Sequence, residues 1–312
     1  MNTDLPKILI IAGATASGKS SLALEIAKII PSEILSADSR QIYNHLTIGT
    51  AKPSPEELKR VPHHFINLLE PNQKFSVWDF QQQGRRSIQE IISRNALPLV
   101  VGGTGLYLKA LVDGIFEQPE FSKGIRRQLE ERLRIEGAAS LHRELEKVDA
   151  ESAARIPQKR TPLIIRALEV FYETGIPISQ FHADQQNQKI YNDYWFALHW
   201  ERKMLYDRIN MRVDRMIEQG LIEEIKNIQA LGYDESLQAL QTVGYKEVFQ
   251  YLCREISKEK MIELIKQNTR RYAKRQMTWF RKEERISWIE ITSVNEMKNI
   301  AERIVRKITA GK

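Results

Sequence analysis

The sequence predicts an α/β fold: a parallel sheet with an inserted all-helical module and a helical C-terminal region. Three observations lead there. Short apolar runs alternate with stretches of helical periodicity, the pattern of a parallel sheet joined by crossover helices. Strand-like text vanishes from about Phe121 to Phe181 and then returns. The first apolar run, Ile8-Leu9-Ile10-Ile11-Ala12, ends in Gly13-Ala14-Thr15-Ala16-Ser17-Gly18-Lys19-Ser20. That is a strand running into a phosphate-binding loop, so the core is expected to be of P-loop type.

In this loop, glycines at both ends let the backbone turn its N–H groups onto an anion, Lys19 adds a point charge, and the Ser20 hydroxyl suits Mg²⁺. The alternative is a glycine turn with no ligand. A helix from Ser20 to Ile29 aims its positive end at the same spot. The second strand, Glu33 to Ala37, leads into Asp38-Ser39-Arg40-Gln41. In such folds the carboxyl end of that strand lies beside the phosphate site. Asp38 can therefore accept a proton from an incoming nucleophile or hold Mg²⁺ through water, unless it simply caps a helix.

Val77 to Ser93 places Val77, Phe80, Ile88, Ile91 and Ile92 at helical spacing. The third strand, Leu97 to Val101, ends in Gly102-Gly103-Thr104-Gly105, where a nucleotide hydrolase usually carries an acid for Mg²⁺. The missing acid counts against ATP-driven motor chemistry. The glycines serve either close backbone approach to a ligand, with Thr104 offering its hydroxyl, or tight strand-to-helix packing. A helix follows to Leu111.

Ile125 to Glu136, Ser140 to Lys147 and Pro162 to Glu173 read as helices of the insert. Tyr194 to Trp200 returns to strand text, with two long helices after it and a last strand, Ile286 to Ile291. The expected division is residues 1–118, first part of the core; 119–187, the helical module; and 188–312, the core's continuation. Lys266, Arg270, Arg271, Lys274, Arg275, Arg281, Lys282 and Arg285 crowd one late helix, while Ile265, Tyr272 and Trp279 fall seven apart on a face that can pack. A basic face on a phosphate-loop protein suits a polyphosphate or a nucleic-acid backbone. Arg208, Arg212 and Arg215 of the preceding helix either extend that surface or reach back to the anion. The six histidines lack metal-ligand spacing, and His63 and His64, in an expected loop, receive no role.

Composition narrows the class. The formal net charge of +7 and the pI near 9.3 favour an anionic partner. A lone cysteine, Cys253, excludes an internal disulfide framework and a cysteine-built zinc cluster. No signal pattern and no membrane-length apolar run is present. A cytoplasmic protein is expected.

The text resembles one family closely, the tRNA dimethylallyltransferases, or tRNA isopentenyltransferases. The resemblance rests on the Gly13 to Ser20 loop, Ala37-Asp38-Ser39-Arg40-Gln41-Ile42-Tyr43, Ile48-Gly49-Thr50-Ala51-Lys52-Pro53, Gly102 to Tyr107, Arg166-Ala167-Leu168-Glu169-Val170, Gly220-Leu221-Ile222-Glu223-Glu224, Gly244-Tyr245-Lys246-Glu247 and Thr269 to Trp279, in order over nearly the whole chain. It implies transfer of a dimethylallyl group from its diphosphate to N6 of adenosine 37, beside the tRNA anticodon, with Mg²⁺ as cofactor. It further implies Asp38 as the base and Thr104 as a second catalytic residue. Thr15, Lys19 and Ser20 would hold the diphosphate and its metal, with Arg208 and Arg212 as further diphosphate contacts. Ser39, Arg40 and Gln41 would meet the flipped adenine. Thr104, Arg126, Arg166, Lys274, Arg275, Gln276 and Arg281 would meet the tRNA. No protein partner is implied.

One segment departs from the family pattern. Members usually carry Pro-Asn-Asp and a further Arg before the Arg-Ala-Leu-Glu block, whereas here the text reads Pro157-Gln158-Lys159-Arg160-Thr161-Pro162-Leu163. Lys159 and Arg160 are the basic residues available there. Three other readings compete: prenyl transfer to a free adenine nucleotide, phosphoryl transfer to a small metabolite, and nucleic-acid binding without catalysis. The long basic helix argues for the larger acceptor.

Overall fold

The structure, a computed structural model, describes residues 5–115, 123–184 and 189–310. Residues 119–122 and 185–187 of the expected module lie outside the described residues. The chain divides into two compact units, Met1–Val112 with Lys189–Lys312, and Asp113–Gln188.

The first unit is built on strands β1 (Lys7–Ala12), β2 (Ser32–Ser36), β3 (His63–His64), β4 (Leu97–Gly102), β5 (Asn192–Trp200) and β6 (Ile286–Ile291), all parallel, in the order β3-β2-β4-β1-β5-β6. β1 is central, with Leu9 opposite Leu99 on one side and Tyr194 on the other. Its side chains alternate between two cores: Ile8, Ile10 and Ala12 face one, Leu9 and Ile11 the other. A strand buried on both faces has no polar positions to spare, hence the unbroken apolar run.

Between strands run α1 (Lys19–Ala27), α2 (Pro55–Arg60), α3 (Val77–Ser93) and α4 (Gly105–Asp113). The second unit holds α5 (Lys123–Glu136), α6 (Ala138–Val148), α7 (Ala150–Arg155), α8 (Thr161–Thr174) and α9 (Ile178–Asp184). These close on their own core of Leu129, Leu141, Leu145, Ile164, Ile165 and Leu168. In the altered segment, Lys159 and Arg160 are exposed ahead of α8, and Leu163 is exposed in its first turn.

Two expectations are corrected. Four helices, not two, separate β5 from β6: α10 (Arg202–Glu218), α11 (Leu221–Ala230), α12 (Tyr245–Leu252) and α13 (Lys258–Phe280). Gly220 and Gly244, both at φ 97°, break the helical text there in a conformation other residues resist. A further helix, α14 (Met297–Ala310), follows β6 and covers α1 with Met297, Ile300, Ala301 and Ile304.

His63 and His64, expected in a loop, form the edge strand. His64 Nε2 lies 2.7 Å from Glu33 Oε2, and Arg94 makes two bonds of 2.8 Å to the same carboxylate. Hydrogen bonds from Arg94 hold the Glu33 carboxyl down to about 2, against the cost of its burial. Because the folded value lies below the unfolded one, this stabilisation is present above about pH 4.5 and fades as pH falls toward 2. The urea midpoint should therefore drop between pH 5 and pH 3, and Glu33→Gln should flatten that dependence. An equally steep decline in the variant would contradict the assignment.

Candidate functional site

Side chains from the loop itself and from outside it tie off its carbonyls. Lys19 Nζ donates to Ala14 O at 2.7 Å, Arg208 Nε to Ala16 O at 2.9 Å, and Trp200 Nε1 to Ser17 O at 2.8 Å. Arg208 also stacks on Trp200, with 4.4 Å from its guanidinium carbon to the ring centroid. With carbonyls engaged and α1 lacking a side-chain cap, the first-turn amides of that helix are left for an anion. Arg208, expected as a diphosphate contact, holds the loop's backbone through its Nε. Arg212, one turn along α10, lines the cleft.

The cleft is lined by residues of the first unit, among them Thr15, Lys19, Ser20, Asp38, Gln41, Arg212, Tyr272 and Gln276. Burial, and then the neighbouring Arg212, push the Lys19 ammonium down to about 7, opposed by the charge of Asp38. Burial also lowers Arg212, again opposed by Asp38. Two cations thus stand beside one carboxylate.

No helix begins at Asp38, so the capping alternative is set aside. Its Oδ1 accepts from the Arg40 N–H at 2.9 Å and closes a turn, while Oδ2 makes no hydrogen bond among the described residues. Thr104 Oγ1 accepts from the Ser39 N–H at 3.3 Å. The turn carrying Asp38 is thereby tied to the turn after β4.

The glycines of that turn resolve toward packing. A Cβ on Gly102 would lie 2.2 Å from the Ala37 carbonyl oxygen, one on Gly103 2.2 Å from Gln276 Nε2, and one on Gly105 2.3 Å from the Trp279 ring. Gln276, expected at the tRNA surface, is buried. Its Oε1 accepts from the Thr15 N–H and its Nε2 donates to the Gly103 carbonyl, both at 2.9 Å.

Tyr272, expected on the packing face with Ile265, lines the cleft, where burial and the Asp38 charge push its hydroxyl up to about 12. The packed residues of α13 are Met261, Ile265, Ala273, Met277 and Phe280. Ile265 and Trp279 do pack on the core, so Tyr272 lies on their side of α13, and along the helix that side passes from core to cleft. Lys274 and Arg275 are exposed on α13, and Arg281 lies just beyond its end.

In the second unit, Arg166 bonds to the buried Glu169 at 2.8 Å, and Arg126 reaches Glu130 at 3.2 Å and Glu169 at 3.5 Å. Both expected tRNA contacts are thus engaged on neighbouring carboxylates. His63, given no role from sequence, contributes to the cleft wall. For a metal the cleft offers the Ser20 hydroxyl at the start of α1 and one carboxylate, at Asp38; no cluster of three or more His, Cys, Asp or Glu able to hold a metal occurs among the described residues. That donor set suits a Mg²⁺ held mainly by substrate phosphates.

An anion grip sharing a cleft with an uncommitted carboxylate, on a parallel P-loop sheet, defines a group-transfer protein of the P-loop class. The model of the IPP transferase family matches residues 41–283, and the chain belongs to that family. It is 46% identical over 301 residues to a tRNA dimethylallyltransferase of Carboxydothermus hydrogenoformans and 44% over 301 residues to one of Alkaliphilus oremlandii, each match covering 96% of both chains. Among solved structures, a tRNA isopentenylpyrophosphate transferase of Bacillus halodurans is similar at a TM-score of 0.72 and 38% identity over 97% of both chains. A eukaryotic dimethylallyltransferase acting on tRNA is similar at 0.85 and 26%, over 98% of this chain and 79% of that one.

The Gln276 bridge generates a prediction. Gln276→Ala leaves the Thr15 N–H and the Gly103 carbonyl unpaired and should cost about 1–3 kcal/mol. Urea unfolding checks it, and an unchanged midpoint would remove the bridge from the account.

Proposed function

We propose that this chain is a transferase that moves the dimethylallyl group of dimethylallyl diphosphate onto N6 of adenosine 37 of tRNA, releasing diphosphate. The observation that carries this reading is the single cleft shared by the anion grip and Asp38. The adenine amine attacks C1 of the allyl group, the C1–O bond to diphosphate breaks, and the amine's proton passes to Asp38. A neutral amine needs little beyond a positioned base, a near-attack geometry and cations on the departing diphosphate. The loop amides, Lys19 and Arg212 supply that charge. Ser20 would hold Mg²⁺ together with the diphosphate oxygens, where the ion would add further neutralisation.

Reaching N6 requires the base to leave the anticodon-loop stack. Ser39, Arg40, Gln41 and Thr104 stand at or beside the Asp38 turn to receive it. The exposed Lys274, Arg275 and Arg281 would meet phosphates of the stem-loop, and Arg126 and Arg166 would serve tRNA from the second unit. Among the described residues no helix is long and apolar enough to cross a membrane. With a tRNA substrate, the cytoplasm is the compartment proposed.

Labelled dimethylallyl diphosphate incubated with an anticodon stem-loop should give labelled RNA. Incorporation into free adenine nucleotide alone, or phosphate transfer from ATP, would overturn the reading. Asp38→Asn should lower turnover about 100-fold or more while stem-loop affinity, measured by filter binding, stays nearly unchanged. Parallel loss of both would remove Asp38 from the role of base.

Lys19 adds a pH signature. With its value at about 7 in the free protein, it is mostly neutral at pH 8, and a bound diphosphate would restore its charge. Binding of dimethylallyl diphosphate at pH 8 should therefore take up close to one proton, and affinity should weaken above pH 7 by at most about tenfold per unit. Calorimetry in two buffers of different ionisation heat measures the uptake. None at all would contradict the assignment.

A further inference from the structure

Three sequence blocks, residues 48–53, 220–224 and 244–247, have no task in the transfer chemistry, yet the structure brings them to one point. Glu224 Oε2 accepts from the Thr47 N–H at 2.9 Å and the Ile48 N–H at 2.6 Å; Oε1 accepts from the Gly49 N–H at 3.2 Å and the Tyr245 hydroxyl at 2.7 Å. Three successive amides converging on a carboxylate form an internal anion nest, with α11 supplying the anion. Gly49 is pressed against the ring of Tyr245, where an added Cβ would come within 2.3 Å of a ring carbon. Lys52 fixes the far end of the segment, donating to the Tyr43 carbonyl and to Asn67 Oδ1.

What this clamp holds is a wall of the site, because Thr50, Ala51 and Pro53 line the cleft. The segment also sets the direction of a cleft side chain. Gln41 Nε2 donates to the Thr50 carbonyl at 3.3 Å and the Ala51 carbonyl at 3.1 Å, while Gln41 Oε1 accepts from Ser36 Oγ at 2.8 Å. Two backbone carbonyls can take only donors, so the NH₂ end is spent on the wall and the amide's remaining capacity is a lone pair on Oε1.

We propose that Glu224 is a positioning residue for the acceptor. By clamping Thr47, Ile48 and Gly49 it fixes the wall whose carbonyls orient Gln41, so that Gln41 Oε1 meets an N–H of the acceptor's amino group beside Asp38. The role of Gln41 rests on the transferase reading; the clamp itself does not.

Glu224→Gln keeps the volume of the side chain but turns an NH₂ toward amides that need an acceptor. Its kcat on the stem-loop should fall about 10–100-fold, with affinity for dimethylallyl diphosphate within about twofold of the unaltered protein. Amide exchange should quicken at residues 47–49 and keep its rate at residues 13–20. Tyr245→Phe, which removes one donor of the four, should show the same pattern more weakly and carries the test if Glu224→Gln does not fold. Unaltered kcat, or equal loss of kcat and diphosphate affinity with faster exchange throughout the sheet, would overturn the proposal. If the unaltered protein transfers nothing to RNA, the transferase reading fails, and exchange at 47–49 alone then decides the clamp.

Discussion

The amide of Gln276 is the contact on which the geometry of the site depends. It joins three elements that the sheet alone does not bring together: the loop after β1, the turn after β4 and helix α13. Both of its partners are backbone groups of opposite character, so the amide has one orientation and no other residue of its length does the same work. One turn earlier on α13, Tyr272 reaches the cleft, while Ala273 and Met277 enter the sheet's second core. Lys274 and Arg275 are left in solvent. A helix held this way couples the anion grip to a basic outer face through one rigid element.

The charges in the cleft favour an anion. Lys19 and Arg212 are both drawn down by burial, and the one carboxylate beside them only partly offsets this. Desolvated cations without full pairing are costly in the folded protein, and a bound diphosphate restores the lost interactions. The same cost explains why the loop's carbonyls are bound by Lys19, Arg208 and Trp200: each engaged carbonyl is one fewer negative dipole facing the ligand.

Much of this was legible in the sequence, for physical reasons that also mark where legibility stops. β1 and β4 stand out because each is short and apolar, as strands of a covered parallel sheet are. β3 has two residues, both histidine, and is a strand only because β2 lies beside it. The loop from Gly13 to Ser20 carries its chemistry locally. The Gln276 bridge spans 261 positions to Thr15, and no local pattern signals it. The spacing of Ile265, Tyr272 and Trp279 puts all three on one side of α13, but no spacing shows that this side opens onto the cleft at Tyr272. Glu224 sat inside a recognised block, but its function is to bind backbone amides 175 to 177 positions away.

The turn after β4 shows most clearly why the reaction at this site differs from nucleotide hydrolysis. In a hydrolase the end of this strand carries an acid for the metal. Here Gly102 occupies that end, and a Cβ on it would lie 2.2 Å from the carbonyl oxygen of Ala37. The space an acidic side chain would need is filled by the backbone that delivers Asp38. Any substitution at Gly102 would displace the adjoining turn, which is further pinned by the Ser39 N–H on Thr104. The carboxylate therefore stands one strand over, at Asp38, with one oxygen closing its own turn and the other uncommitted. An acid in that position is placed to receive a proton from an attacking group.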